Sequence, residues 1–211
     1  LATEDYTTYT EYDPNGVLTV TSSEITAEDM DRDIDAYVYL DKGVGHFGDF
    51  EHKLTVMGKG TSQAYAVGHM WILSNDIDDG NNANGLHLLM NEGSSYGKDW
   101  KIILGEGTGF CSDNRDDYAD DCNDTYRYLT IKRAGTTLTC KIYSDEARTN
   151  LLDTLSLTVA TTTYQYIYAI ASHNSGSSAC NFDGMVKDLD LQETTPPATG
   201  YLNCMSKYWN S

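Results

Sequence analysis

In "DAYVYLDKG", Tyr37 and Tyr39 alternate with Val38 and Leu40. The same two-residue period recurs through most of the chain. Alternation sends successive side chains to opposite faces of a strand, so each such segment is a strand with one face toward a core. "GVLTVTSSEIT" alternates Val17, Thr19 and Thr21 against Leu18 and Val20. "FEHKLTVMG" is a further strand ending at Gly58, followed by "AYAVGHMWILSN", "GLHLLMNE" and "KDWKIILGEG". The second of these is apolar on both faces, as a central strand covered from both sides would be. "TYRYLTIKRAGTTLTCKIYSD" predicts a hairpin turning at Ala134, Gly135 and Thr136. "NLLDTLSLTV", "YQYIYAIASHN" and "CNFDGMVKDLDLQE" complete the set. The best helical candidate, "SSEITAEDMDRD", is interrupted by acids and is assigned at most one turn. Roughly a dozen short strands set off by turn signals restrict the chain to an all-β sandwich or barrel.

Charge narrows the partners. The 211 residues carry 14 Lys and Arg against 32 Asp and Glu, a net charge of −18. Phosphate recognition needs clustered cations, so nucleic acid is excluded as a partner, and so is an anionic membrane surface. No run is long and apolar enough for membrane insertion. The chain starts at Leu1, which suggests processing or trimming and points toward secretion. The expected organisation is one domain over 1–193, then a Pro-containing linker and tail over 194–211, "TTPPATG" leading into "YLNCMSKYWNS".

"CSDNRDDYADDC" holds the densest charge. A disulfide between Cys111 and Cys122 is expected to tie it as a loop and to imply an oxidising compartment. Like charges held that close need neutralising. Asp113, Asn114, Asp116, Asp117, Asp120 and Asp121 offer oxygens to Ca²⁺, which takes six to eight; the alternative is a hydrated loop. "SNDIDDGNNANG" is a second acidic loop, with Asp76 and Asp78 as further calcium candidates. Cys140 shares a strand face with Leu138 and Ile142 and is expected to be a buried thiol acting as a small hydrophobe. Cys180 and Cys204 have no assigned partner.

"DAYVYLDKGVGHFGDFEHKLTV" (35–56), "CKIYSDEARTNLLDTLSLTV" (140–159) and "YIYAIASHNSGSSACNFDGMVKDLDL" (166–191) together resemble concanavalin A-like lectin/glucanase domains, of the laminin-G-like jelly-roll kind found in bacterial and phage-derived sequences. The resemblance covers residues 5 to 192. It implies a two-sheet antiparallel jelly roll in which "GMVKDLDL" is the closing strand, lying beside the N-terminal one. It does not choose among lectins, hydrolases, lyases and virion or adhesin decorations.

Local catalytic motifs are negative. Glycosidases of this superfamily use E-x-D-x-x-E, whose alternate carboxylates share a strand face. The one E-x-D is Glu11-Tyr12-Asp13, and Gly16 stands where the last Glu belongs. Gln63, Gln165 and Gln192 lack the His two residues on that a lyase strand would carry. Nucleophile elbow, zinc helix and phosphate loop are all missing.

A sugar site needs a flat aromatic and a few acceptors. His69 and Trp71 are expected on one strand face, His87 on the next strand, Trp100 on the one after and Tyr96 in the connecting loop, together lining the concave sheet. The structural alternative is a core Trp with satisfied His neighbours. The leading expectation is a non-catalytic extracellular, cell-surface or virion module that binds glycan or polysaccharide, with calcium. The first alternative is a capsid decoration or filament subunit, a homo-oligomer or virion partner contacted through the tail. The second is a hydrolase or lyase with a dispersed site.

Overall fold

The computed structural model describes residues 3–93, 100–120 and 123–193. Residues 194–211, the expected linker and tail, lie outside the described residues. The alternating segments form fourteen strands: β1 Thr10–Tyr12, β2 Leu18–Val20, β3 Glu24–Arg32, β4 Tyr37–Asp41, β5 Phe50–Gly58, β6 Val67–Ser74, β7 Gly85–Glu92, β8 Trp100–Gly107, β9 Arg115–Asp120, β10 Arg127–Ala134, β11 Thr137–Tyr143, β12 Leu151–Thr158, β13 Tyr166–Ser172 and β14 Ser177–Asp190.

They pair into two antiparallel seven-stranded sheets. The first runs β1-β4-β13-β6-β7-β8-β9 and the second β12-β11-β10-β5-β14-β3-β2. The closing strand β14 lies between β3 and β5, so distant segments are stitched together within the second sheet. The main core lies between the sheets. β11 shows why the sequence folds this way: Leu138, Cys140 and Ile142 are buried and alternate with more exposed Thr137, Thr139 and Lys141. β10 and β11 meet at Ala134 opposite Thr137. That leaves a tight turn in which Gly135 has φ +60°, a conformation glycine adopts without steric cost.

One segment differs from expectation. The stretch given a helical turn is the nine-residue strand β3. Its buried positions are Ile25, Ala27 and Met30, because a bulge interrupts the pairing with β14 between Gly184 and Phe182. Asp29 takes φ +53° there and donates its backbone N–H to Asp183 at 2.8 Å. The inserted residue stretches a two-residue spacing to three, which in sequence imitates a helical step. β6 is buried along its whole length, with the main core on one side and loops on the other.

Candidate functional site

A bulge at Met70 separates His69 and Trp71, which were expected to share a face. His69 opposes Leu89 while Trp71 opposes the adjacent Leu88. The pleat reverses there, so Trp71 points into the inter-sheet core and His69 points to the outer face of the first sheet. Trp71 and Trp100 are both 0% exposed. Trp71 donates its indole N–H to His52 at 3.2 Å, and Trp100 donates to Asn123 at 2.8 Å. Both are core residues with satisfied polar tips, which corrects their assignment as stacking platforms. Tyr96 lies outside the described residues.

His69 and His87 do come together, joined by His173, which the sequence reading missed. His87 Nε2 lies 3.0 Å from the Ala83 carbonyl. His69 Nδ1 lies 3.1 Å from His87 Nδ1, and His69 Nε2 lies 3.0 Å from His173 Nδ1. These contacts fix the tautomers in turn. The carbonyl only accepts, so His87 Nε2 carries the proton, and in the neutral ring His87 Nδ1 accepts. His69 then donates from Nδ1 and accepts at Nε2, and His173 donates from Nδ1. This is the pattern that three neutral rings make. Burial agrees: it holds His87 and His173 down at about 4 and His69 well below the ordinary imidazole value.

Two loops cover this chain of imidazoles. The β6–β7 loop, residues 75–84, folds back over it, and Gly80 donates its N–H to the Ser172 carbonyl at 2.8 Å. Asp79 organises the loop, accepting from the backbone of Asn81 and Asn82 and from the Asn82 amide. The β8–β9 loop brings Phe110 to 4.3 Å from the His173 ring centroid. His69 and His87 are thus interior residues beneath the loops rather than an exposed lining.

The acidic stretch is a strand and not a disulfide-tied loop. Arg115 to Asp120 form β9, the edge of the first sheet, paired only with β8. Asp116 accepts from the Ser156 backbone at 3.0 Å, and Asp117 pairs with Lys101 at 3.0 Å. Asn114 donates to Glu106 and to the Thr158 carbonyl. Asp113 is exposed in the preceding turn. The Asp120 side chain, Asp121 and Cys122 lie outside the described residues. Alternation sends these groups to opposite faces, so they do not converge as calcium ligands would. Asp76 and Asp78 are exposed in the β6–β7 loop. Among the described residues no group of three or more His, Cys, Asp or Glu is gathered to hold a metal ion. The expected bridge is also missing: Cys111 is a buried free thiol. β9 carries the chain about 17 Å along the sheet by Asp120, more than twice the Cα separation a disulfide spans. Cys140 is a buried free thiol facing the core, as its strand position predicts.

The exposed aromatic surface is elsewhere on the same sheet face. Tyr12, Tyr37, Tyr39, Tyr166 and Tyr168 form one continuous cluster across β1, β4 and β13. Tyr12 stacks on Tyr37 with centroids 5.1 Å apart and 25° between planes. Tyr37 meets Tyr39 and Tyr168, and Tyr39 meets Tyr166 and Tyr168, all with centroids 5.7 to 6.1 Å apart. Tyr168 is fully buried and anchors the group, while Tyr12 is 46% exposed. Pairing Tyr12 with Tyr37 and Tyr39 with Tyr168 puts these side chains on one face. The Tyr168 hydroxyl donates to the Asp76 carbonyl at 2.7 Å and accepts from the Asp78 N–H at 3.1 Å, which sets the exposed carboxylates of Asp76 and Asp78 at the rim. Burial first, then the charges of Tyr12, Asp78 and Asp35, raise the Tyr37 phenol above its usual value. The paired Tyr spacing in "YVY" and "YIY" was the available signal.

No protein family's sequence model and no curated protein sequence matches the chain. Solved structures do match. The exoplasmic/lumenal domain of VIP36, in a Ca²⁺/Man3GlcNAc-bound form, superposes with TM-score 0.60 at 16% identity, over 92% of this chain and 90% of that one. A functionally unknown protein from Saccharomyces cerevisiae matches with TM-score 0.55 at 14% identity, over 88% and 96%. A legume lectin-like domain from Entamoeba histolytica matches with TM-score 0.52 at 14% identity, over 86% and 88%. Sheet order, strand pairing and these superpositions agree that the chain has the concanavalin A-like lectin fold.

Proposed function

We infer that the protein is a non-catalytic glycan-binding module whose ligand stacks on the tyrosine platform of the first sheet. The carrying observation is the contiguous run from half-exposed Tyr12 through Tyr37 and Tyr39 to Tyr166, with Asp76 and Asp78 at its rim. Aromatic faces suit the C–H face of a pyranose, and carboxylates accept its hydroxyls. The two structural neighbours described as lectin-like or glycan-bound support the same class. A place outside the cell, in a lumen or on a virion belongs to this reading, supported by the exoplasmic/lumenal neighbour.

Calcium appears in the VIP36 structure beside its glycan. Among the described residues no group of acids is gathered to hold a metal ion, and stacking on the platform does not itself call for calcium. The test is a glycan array followed by titration of the best neutral oligosaccharide, with calcium and then with chelator. Tyr37→Ala is expected to weaken binding roughly tenfold or more, since losing an aromatic contact costs on the order of 1–3 kcal/mol. Binding that survives Tyr37→Ala and Tyr39→Ala together would sink the platform. Binding lost on chelation would return calcium to the site.

A further inference from the structure

We propose that the outer face of the second sheet carries a separate site, a basic groove that takes an acidic oligosaccharide with carboxylate or sulfate groups on successive sugar units. The groove is a cavity of about 380 Å³ whose lining includes Lys53, Lys132, Lys141 and Arg148 and one carboxylate, Glu51. Strand register fixes the arrangement. Thr130 lies between Lys53 on β5 and Lys141 on β11, and Lys132 lies between Glu51 and Thr139. Adjacent strands are about 4.8 Å apart, so Lys53 and Lys141 flank Thr130 at two ladder steps, with Lys132 one alternation away. Arg148 reaches over the sheet from the β11–β12 loop. Its guanidinium donates to the carbonyls of Leu54 and Leu129, both at 3.4 Å.

The groove leaves part of its cationic charge without a carboxylate partner. Acids outnumber bases more than two to one in this chain, so a cation has no shortage of carboxylates to pair with. Lys42, Lys59 and Lys101 each do so. Among the described residues of the groove Lys132 pairs with Glu51 at 3.4 Å, Asp190 stands opposite Lys53 in the strand register, and the charges of Asp188, Asp190 and Glu146 act on Arg148 from one end. Lys53 donates to the neutral amide of Gln192, and Lys141 makes no hydrogen bond or ion pair among the described residues. Lys132 lies diagonal to Lys53 and to Lys141 across the two ladders, and an anion set among them offsets their mutual repulsion.

The spread of cations selects the ligand. One small anion meets one or two ammonium groups; an acidic saccharide chain meets all of them while its hydroxyls face Thr130, Thr139 and Tyr143. A nucleic acid strand fits less well, because it extends beyond the patch into the field of a protein with net charge −18. A neighbouring cavity, about 250 Å³, shares Lys53 and Arg148 but is bordered by Glu146, Asp188 and Asp190. These acids close one end of the basic stretch to anions.

The experiment is calorimetric titration of the full chain with a short oligogalacturonate, a sulfated heparin-type oligosaccharide, a neutral cello-oligosaccharide and a single-stranded DNA of similar length. At least one acidic saccharide is expected to bind, more weakly as salt rises, and to bind better than the neutral sugar and the DNA. Lys132→Gln with Lys141→Gln is expected to weaken it roughly tenfold or more with the melting temperature unchanged. Tyr37→Ala should leave this binding intact, so the groove and the platform stand or fall separately. No binding of either acidic saccharide, equal binding of DNA, or binding insensitive to the lysine pair would each overturn the proposal.

Discussion

Asp116 on β9 accepts the backbone N–H of Ser156 on β12 at 3.0 Å, joining the edge strands of opposite sheets. Asn114 donates to the Thr158 carbonyl two residues on, and Glu106 accepts from Ala160. An edge strand presents unpaired N–H and C=O groups that invite another chain. Here side chains from the first sheet close the β12 edge of the second, and the remaining acids repel a docking strand. That is the physical use of the dense charge in "CSDNRDDYADDC".

Asp116→Ala is therefore expected to cost about 1 kcal/mol and lower Tm by about 2–4 °C. Asp117→Asn removes a pair with Lys101 whose side chains are 34% and 41% exposed. It should change stability by less than about 0.5 kcal/mol. Urea melts of both variants check this. Equal effects would mean that net charge, and not the seam, governs the edge.

The buried imidazoles predict acid sensitivity. His87 and His173 are held down at about 4 and His52 at about 3, with burial the first cause in each. Their unfolded value is about 6.5. As pH falls from 6.5 toward 4 the unfolded chain takes up protons that the folded chain refuses, so the stabilisation is present above 6.5 and lost through this window. Each such His contributes a slope of about 1.4 kcal/mol per pH unit. Asp79 opposes them: burial pushes its carboxyl up to about 6, so the folded state binds its proton first and gains stability as pH falls toward 4. The histidines outnumber it. Urea midpoints should decline steadily across the window; a flat profile would show that the folded chain takes up these protons as readily as the unfolded one.

Gly80 lies against the middle ring of that chain. A Cβ there would sit 2.3 Å from His69 Cδ2. The imidazole is held from both nitrogens, so it cannot yield without breaking a hydrogen bond. Gly80→Ala is expected to destabilise by about 1–3 kcal/mol, measured by denaturant unfolding. A neutral result would mean that the loop over 75–84 lifts away without cost.

These sites mark how far the sequence carries. The hairpin at Gly135, the inward face of β11 and the doubly covered β6 are legible, because regular alternation and turn chemistry determine them locally. Bulges are not legible. One inserted residue at Met70 turns Trp71 away from His69, and one at Asp29 makes β3 read like a helical turn. The meeting of His173 with His69, 104 residues apart in sequence, depends on the pairing of β13 with β6, which no local spacing reports. The acids of β9 read as a loop because edge strands tolerate charge that central strands exclude. Tyr37, Tyr39, Tyr166 and Tyr168 were visible as alternation, but not that β4 and β13 lie side by side.

Tyr168 links that platform to the loop at its rim. Its buried hydroxyl bridges the Asp76 carbonyl and the Asp78 N–H, so one phenol fixes the backbone of both rim residues. Tyr168→Phe keeps the ring contacts with Tyr37 and Tyr39 and removes only the bridge. The expected cost is about 1–2 kcal/mol, because two backbone groups lose their partner. Amide exchange should quicken at residues 76 to 80 with the sheet protected as before. Since stacking is untouched, a neutral oligosaccharide should still bind, more weakly by the share that Asp76 and Asp78 supply. Full loss of binding would instead place the ligand mainly on the loop. Unchanged affinity with quickened exchange would remove the two carboxylates from the site and leave the tyrosines alone to hold the sugar.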